Sequence, residues 1–561
     1  MLIILNLVFK IGLLEVFYAL LYRIHKSLLS RYYKKAVTTR KHDIELQDKS
    51  CSIFELEKNY FSFFSDSTLK FQQSVIWSID PVSKTELRAG AHWSKYDFSK
   101  VSDIKHVWEI SRFNWWLKAS VKLDDKSHAR ELLADWIENN PYPYSAQWAC
   151  AQECSIRLIN FLLGVEFSKQ YELLDEYRYF IEASLKRIKS THYYALAQKN
   201  DHAIAEACAM YLAKIYLNKR AKREKKHLNS LISKLFFSEG SFSMYSLFYH
   251  RYVSDCLMYT SYLASIKKDE VYTSSSKDLL KKSNQFLCQL IFNDKGHTPN
   301  LGANDGTNPF SIFSEDYRDF RESLSLSMLI SDDTYLSDSP FSSTLSKLLN
   351  LSPERTKSIT GQQKRQVYYG QFGLYIKRCE SYTFLIKTHS TECFRPSQED
   401  ISHIELWANN ENILLDSGSY SYREKLGDEI KSHRAHNCLS ESGIENLRVQ
   451  SKFLYKDWPM QGKLEIKDDE IKYSFLNFKG SRMTRRILFK DTFITVSDKI
   501  EAKKLEVNFN VCASSSLRLI SDCIPKKEKA FHSSNYNKLE EHERLTFTSN
   551  NEHITIISLG A

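Results

Sequence analysis

From about Trp93 to Leu349 the apolar residues recur every three or four positions. Ala151, Cys154, Leu158, Phe161, Leu162 and Val165 form one stripe, and Ile204, Cys208, Tyr211 and Ile215 form another. This spacing predicts a succession of amphipathic α-helices. They share no repeat of fixed sequence period, so a helical barrel or toroid is expected rather than a short-period solenoid. Beyond the polar stretch Leu351–Arg365 the period falls to about two. The β-type runs are Val367–Arg378, Tyr382–Lys387, Ile404–Leu406, Ile413–Leu415, Ile487–Val496, Leu505–Val511 and Ile554–Leu559. Many short strands with no helices between them predict an antiparallel sandwich. The chain therefore reads as multidomain α and β, an N-terminal incomplete (α/α) toroid followed by a C-terminal antiparallel β-sandwich. Residues 1–92 read as a helical extension with an apolar leader, 93–355 as the toroid and 356–561 as the sandwich.

Composition narrows this picture only in part. With 42% apolar and 26% charged residues, disorder and collagen-like fibres are excluded. Lys plus Arg exceeds Asp plus Glu by 78 to 68, which favours a polyanionic partner: an acidic glycan, nucleic acid or anionic lipid. No nucleic-acid-binding module is present in the sequence, so nucleic acid is not expected, and the basic run Lys219–Lys226 reads as a solvated helix end. Eleven cysteines without a CxxC pair read as mostly reduced, buried thiols. Met1–Leu21 is strongly apolar but holds Lys10 and Glu15, and no small-residue cleavage site precedes Arg23, His25 and Lys26. A cleaved signal is not expected. The segment reads either as a packed first helix or as an interfacial helix making peripheral membrane contact. The expected location is a bacterial-type cell envelope or the cytoplasmic membrane surface, with the cytoplasm left open.

The chain lacks GxxxxGK[ST], GxGxxG after a strand, HExxH and GxSxG, which leaves nucleotide-dependent, zincin and serine-hydrolase chemistry without support. Three constellations remain. Asn200-Asp201-His202 stands before a helical run and on spacing alone reads as a helix cap. Phe248 to Tyr252 places five aromatic or polar side chains in a row before another helix. In the β half, His403, Asp416 and His436 have the residue types of a metal site with two imidazoles and a carboxylate, at long and unequal spacing.

In order and spacing, these segments resemble the heparinase II/III family of polysaccharide lyases. The resemblance runs from Trp108-Glu109-Ile110-Ser111-Arg112-Phe113 through Asn140-Pro141, Trp148 and Arg157-Leu158-Ile159-Asn160 to Asn200-Asp201-His202 and Tyr249-His250-Arg251-Tyr252. It continues through Gly302 to Gly306, Asp316 to Asp319, Arg395-Pro396-Ser397, Asp400, His403 to Trp407, Asp416 to Tyr422 and His436-Asn437. It implies a toroid joined to a sandwich, and β-elimination on a uronate-containing chain. A uronate C5 proton becomes removable only when the neighbouring carboxylate is neutralised by donors. The resemblance assigns that role to Asn200 and His202, makes Tyr249 the acid, leaves the base to Tyr249, His250 or His403, and places His403 in the catalytic group. It implies His250, Arg251, Arg395, Gln398 and Trp148 as substrate-binding groups, with Trp115, Trp116 and Trp407 as further stacking candidates. His403, Asp416 and His436 would hold a structural divalent metal, zinc or calcium; no cofactor is required for the chemistry.

Two departures from the family pattern bear on this reading. Gln398 stands where many relatives have His, and an amide cannot act as a general base. Asp201 stands where relatives often have a second Asn, and an anion there would repel a substrate carboxylate unless it points into the helix start. The expected function is a lyase acting on an acidic polysaccharide. The alternative is a catalytically impaired glycan-binding or surface-polysaccharide assembly protein of the same fold.

Overall fold

The computed structural model describes residues 12–558 apart from 43, 48–59, 65–66, 73, 307, 389–397, 445–448, 452–453, 456–459, 478, 502–503, 513–517, 522 and 537. The chain divides into two compact units. The first runs to residue 236 and adds 249–284 and 306–359; the second holds 237–248, 285–305 and 360–561.

The first unit opens on α1 (Leu13–Tyr32). The expectation of a helical extension over residues 1–92 is corrected here. After α1 come β1 (Thr39–Lys41), β2 (Glu45–Gln47), β3 (Tyr60–Phe63), β4 (Ser67–Lys70), β5 (Ile79–Asp80) and β6 (Thr85–Leu87), in two three-stranded antiparallel sheets ordered β1-β6-β5 and β2-β4-β3. Strands this short carry too few residues to display a period of two. The helical series follows as α2 (Ile104–Glu109), α3 (Asn114–Lys122), α4 (Ser127–Asn139), α5 (Ala151–Ser168), α6 (Glu172–Glu176), α7 (Arg178–Gln198), α8 (Asp201–Tyr216), α9 (Lys222–Leu235), α10 (Leu247–Ile266), α11 (Ser274–Cys288), α12 (Arg321–Ser331) and α13 (Ser342–Leu349). Successive helices are neighbours: α7 packs on α8, and α8 on α9. A parallel pair of strands, β7 (Thr334–Leu336) and β8 (Arg355–Lys357), ends the unit.

Helix α5 is the centre of this unit, packing against α3, α7 and α8, with every residue from Ala151 to Glu166 buried. Its polar residues are matched one by one, as buried charges must be. Arg112 grips Glu153 through Nε and Nη2, both at 2.9 Å. Arg157 donates to the carbonyls of Ser111 (2.9 Å) and Gln147 (2.7 Å) and lies over the Trp136 ring. Asn160 donates to the carbonyls of Arg112 and Pro309, both at 2.9 Å. Gly164 is required by close approach, because a Cβ there would lie 2.0 Å from Trp116 Nε1.

The second unit is a sandwich of two antiparallel sheets. One contains β9 (Gln366–Tyr369), β10 (Leu374–Arg378), β11 (Thr383–Lys387), β12 (Ile404–Ala408), β13 (Glu411–Leu414), β14 (Leu439–Glu441), β21 (Leu505–Val511), β23 (Lys526–His532) and β24 (Glu540–Ser549). Its order is β23-β24-β21-β13-β12-β11-β10-β9, with β14 also paired to β21. The other contains β17 (Met460–Lys467), β18 (Glu470–Leu476), β19 (Arg482–Phe489), β20 (Phe493–Ile500), β22 (Arg518–Ser521) and β25 (Glu552–Ser558), ordered β17-β18-β19-β20-β25-β22. The short pair β15 (Val449–Ser451) and β16 (Leu454–Tyr455) stands apart. One core joins the two sheets: Phe384, Leu406, Val507 and Phe547 from the first meet Tyr473, Ile487, Val496 and Ile557 from the second.

One charge sits within this apolar face. On β19 the buried positions are Met483, Arg485, Ile487 and Phe489, so Arg485 stands where the alternation calls for a hydrocarbon. Its guanidinium binds Asp498 of β20 through Nε and Nη2, each at 2.7 Å, and donates through Nη1 to the carbonyls of Ser402 (2.7 Å) and Asn437 (2.6 Å). Both partners of the pair are fully buried, so removing one strands the other. Arg485→Met should destabilise the protein by about 3–5 kcal/mol in urea unfolding, and Arg485→Met combined with Asp498→Leu should recover part of that loss. A single-variant loss below about 1 kcal/mol would show that the pair is not structural.

Candidate functional site

In the first unit the polar group of interest lies at the turn between α7 and α8. Lys199 takes a left-handed conformation (φ 48°) and Asn200 an extended one, which reverses the chain in two residues. Asn200 occupies the cap position, yet its side chain makes no capping bond. Its Nδ2 lies 3.3 Å from Gln198 Oε1, and its buried Oδ1 accepts no hydrogen bond among the described residues. The cap reading that spacing suggests therefore does not hold for this amide. Asp201, the first residue of α8, is buried, and its carboxylate accepts from the Gln152 amide on α5. His202 is half-buried beside it. The carboxylate thus points at Gln152 of α5.

Tyr249 (8% exposed) and Tyr252 (1%) are both buried and lie three residues apart on α10, on one face. Burial pushes the Tyr252 phenol well above its ordinary value, and the Asp201 carboxylate adds to that shift. The other α10 candidates are placed differently. His250 is fully buried with Nε2 2.6 Å from Ser283 Oγ, and burial holds its imidazole down at about 3. Arg251 is buried over the rings of Tyr317 and Phe320 and donates to the Tyr317 carbonyl. Both residues pack the helix instead of presenting a group to a glycan, which corrects the substrate-binding expectation for them.

The tryptophans are corrected in the same way. Trp148 is buried, and its Nε1 donates to the Asn140 carbonyl at 2.8 Å. Trp115, Trp116 and Trp407 are also buried, with indole N–H groups held by Ile110 O, Phe161 O and Glu405 Oε2. A stacked sugar needs an open ring face. Arg395 lies outside the described residues.

In the second unit Gln398 is buried and holds two loops together. Its Nε2 donates to the Gly418 carbonyl (2.6 Å) and its Oε1 accepts from the Gly302 N–H (3.2 Å). Gly418 has φ +66°, and a Cβ there would come within 2.1 Å of Asn300 Nδ2. The amide is engaged by backbone at both ends and also reaches Ser419 Oγ at 3.4 Å, which makes Gln398 a structural bridge.

Beside that bridge His403, Asp416 and His436 do come together, and all three are fully buried. His403 Nε2 lies 3.5 Å and His436 Nε2 3.6 Å from Asp416 Oδ2. None of these three atoms has a hydrogen-bond partner among the described residues. Glu405, two residues along from His403 and hence on the same face of the strand, brings Oε1 to 3.7 Å from His403 Nε2. The sequence reading passed over Glu405 as a ligand, although the i, i+2 spacing was the signal that could have found it. Burial lowers His403 to about 4 and raises Asp416, as expected of charged forms kept from water.

Surrounding contacts decide how each group is presented. The ring N–H at Nδ1 of His436 donates to Ser432 O at 2.9 Å, which turns a lone pair at Nε2 inward. Asp416 Oδ1 accepts from the Gly418 N–H at 2.7 Å, leaving Oδ2 for the cluster. Glu405 Oε2 accepts from Trp407 and Asn412, leaving Oε1. His403 differs, because its Nδ1 accepts from the Asn437 N–H at 3.0 Å and the proton of its neutral ring therefore sits on Nε2. The ligand atoms of His403, Glu405 and Asp416 all lie within 4.8 Å of one another, a group that does not include His436, and His403 can offer Nε2 to a cation only as its other tautomer, with Nδ1 protonated and the Asn437 contact given up. Sulfur plays no part, and no disulfide forms among the described residues.

The architecture has known counterparts. Residues 362–558 match the family model described as Heparinase II/III-like, C-terminal. No curated protein matches the chain in sequence. A crystal structure of heparinase III aligns over 96% of this chain and 90% of its own, with TM-score 0.64 and 15% identity. The heparan sulfate lyase HepC from Pedobacter heparinus aligns over 90% and 82%, with TM-score 0.55 and 16% identity. The chondroitin AC lyase of Streptomyces coelicolor A3, in complex with chondroitin sulphate, aligns over 80% and 74%, with TM-score 0.52 and 10% identity. These structures share the toroid-plus-sandwich fold with this chain, whose residues 362–558 form a Heparinase II/III-like C-terminal domain.

Proposed function

We propose that the protein is a polysaccharide lyase that cleaves an acidic, uronate-containing glycan by β-elimination, with Asn200, His202 and Tyr249 at the chemistry. The observation that carries this reading is the α7–α8 turn. Asn200 stands at a helix cap but leaves its amide uncommitted to the helix, next to a half-buried imidazole. The lyase activities named for the structures of the same fold support the class of reaction.

The steps follow from the residue types. The Asn200 amide and the His202 ring donate to the uronate carboxylate and stabilise the charge that builds on it as the C5 proton leaves. Gln398 cannot accept that proton because an amide is no base, and in this reading Tyr249 takes it as phenolate. The C5–H electrons form the C4–C5 double bond, the C4–O bond breaks, and Tyr249 returns the proton to the departing oxygen. The competing reading, a glycan-binding protein of this fold without turnover, rests on Gln398 standing in place of His.

The sandwich cluster, in this reading, holds a structural divalent cation on His403, Asp416 and Glu405, with His403 as the tautomer protonated at Nδ1 and His436 beside Asp416. Two imidazoles beside carboxylates favour zinc over calcium, whose ligands are oxygens. A cation there would compensate buried carboxylates and tie β12 to the segment after β13.

Two results are expected. Tyr249→Phe should lower the rate of ultraviolet absorbance gain on an acidic polysaccharide by roughly 10²-fold or more while glycan binding holds; equal rates would remove Tyr249 from the chemistry. Elemental analysis of the purified protein should find about one divalent metal per chain, lost in Asp416→Ala together with a fall in Tm. A metal-free protein whose Tm is indifferent to added zinc would refute the cation.

A further inference from the structure

Helix α1 presents two unlike faces. Toward its own unit it is well held: Tyr22 stacks on Tyr194 with ring centroids 4.0 Å apart, His25 Nδ1 lies 3.0 Å from the Tyr193 hydroxyl, and Glu15 pairs with Lys199 at 2.9 Å. The opposite face carries Leu13, Phe17, Leu20, Ile24, Leu28 and Tyr32, exposed by 72%, 56%, 47%, 57%, 58% and 78%. At about 100° per residue these six positions fall within an arc of roughly 120° and run the length of the helix, a span of about 30 Å. A contiguous apolar strip of this size on a soluble surface marks a docking face.

Its charge indicates what it docks on. Between residues 13 and 42 the chain holds Arg23, Lys26, Arg31, Lys34, Lys35, Arg40 and Lys41 against one acid, Glu15. That acid is already paired with Lys199, and Arg23, Arg31, Lys34 and Lys35 are exposed. A second protein copy would bring the same basic rim and repel it. A surface that is apolar just beneath and negatively charged above satisfies both features, and a bilayer containing anionic lipid is such a surface. Among the described residues no helix is long and apolar enough to cross a membrane; the inner face of α1 is held by its own unit, so its apolar strip would lie along the interface.

We propose that α1 is a peripheral docking helix for anionic membranes, with its apolar strip set into the headgroup boundary and its arginines and lysines on the lipid phosphates. The test is co-sedimentation of the full-length protein with vesicles of phosphatidylcholine alone, or of phosphatidylcholine and phosphatidylglycerol in equal parts. The protein should sediment with the anionic vesicles, and raised salt should weaken that binding. Leu20→Glu combined with Ile24→Glu should lower the affinity roughly tenfold or more. These side chains are exposed, so the variant should keep the wild-type thermal melt; Arg23→Glu combined with Lys34→Glu supplies a second variant and should remove the preference for anionic lipid. Absence of binding to anionic vesicles, or binding unchanged by both variants, would overturn the proposal. A wild-type dimer in light scattering that the Leu20/Ile24 variant converts to monomer, without vesicle binding, would overturn it in favour of a second copy.

Discussion

The second unit depends on one guanidinium. Arg485 points into the apolar face between two sheets, where an unpaired charge could not be tolerated, and every N–H group it directs inward meets an oxygen on Asp498, Ser402 or Asn437. Ser402 precedes His403, and Asn437 follows His436. The interaction that joins the sheets therefore also fixes the two histidines of the buried cluster. Asn437 extends the same control: its side chain donates to the carbonyls of Ile404 and Leu415 and accepts from the Asn510 N–H. The cluster's geometry is set by backbone held from outside it, which is how a site of fixed ligands is kept in place.

The first unit uses the same device. Arg187 on α7 donates to the carbonyls of Trp148 and Ala149, and Arg157 to those of Ser111 and Gln147. Irregular backbone ahead of α5 is thereby fixed by side chains from regular helices. Gln152, in the first turn of α5, reaches Asp201 and so sets the start of α8, where Asn200 and His202 stand. Buried arginines, a glutamine and an aspartate form a chain of contacts from the core to the proposed chemistry, so the turn is held without using the Asn200 side chain.

Much of the fold was legible because it is written in periods. The runs at Val367–Arg378 and Ile487–Val496 resolve into hairpins, and those at Tyr382–Lys387, Leu505–Val511 and Ile554–Leu559 into single strands, because each alternates toward one core. Strands β17 and β18 escaped notice behind the lysines and glutamates of their outer face, although Ile471, Tyr473 and Phe475 alternate inward. The small N-terminal sheets were not legible at all. The site was less readable than the fold, since spacing cannot tell an exposed Trp148 from a buried one or an Arg251 that meets substrate from one enclosed by Tyr317 and Phe320. Gln398 was noticed for the right chemical reason, but only the structure reveals what its amide does. Arg485 was hidden because an arginine on the apolar side of a strand looks like a break in the pattern until Asp498 is seen beside it.

The central claim is that this chain breaks an acidic glycan by elimination, and the mass of the new chain end tests it most directly. Oligosaccharides released from an acidic polysaccharide by the wild-type protein should be lighter by one water than hydrolysis products of the same length, with the unsaturation on the new non-reducing uronate. Hydrated ends would contradict the elimination chemistry, and saturable glycan binding with no released oligosaccharide would contradict catalysis itself.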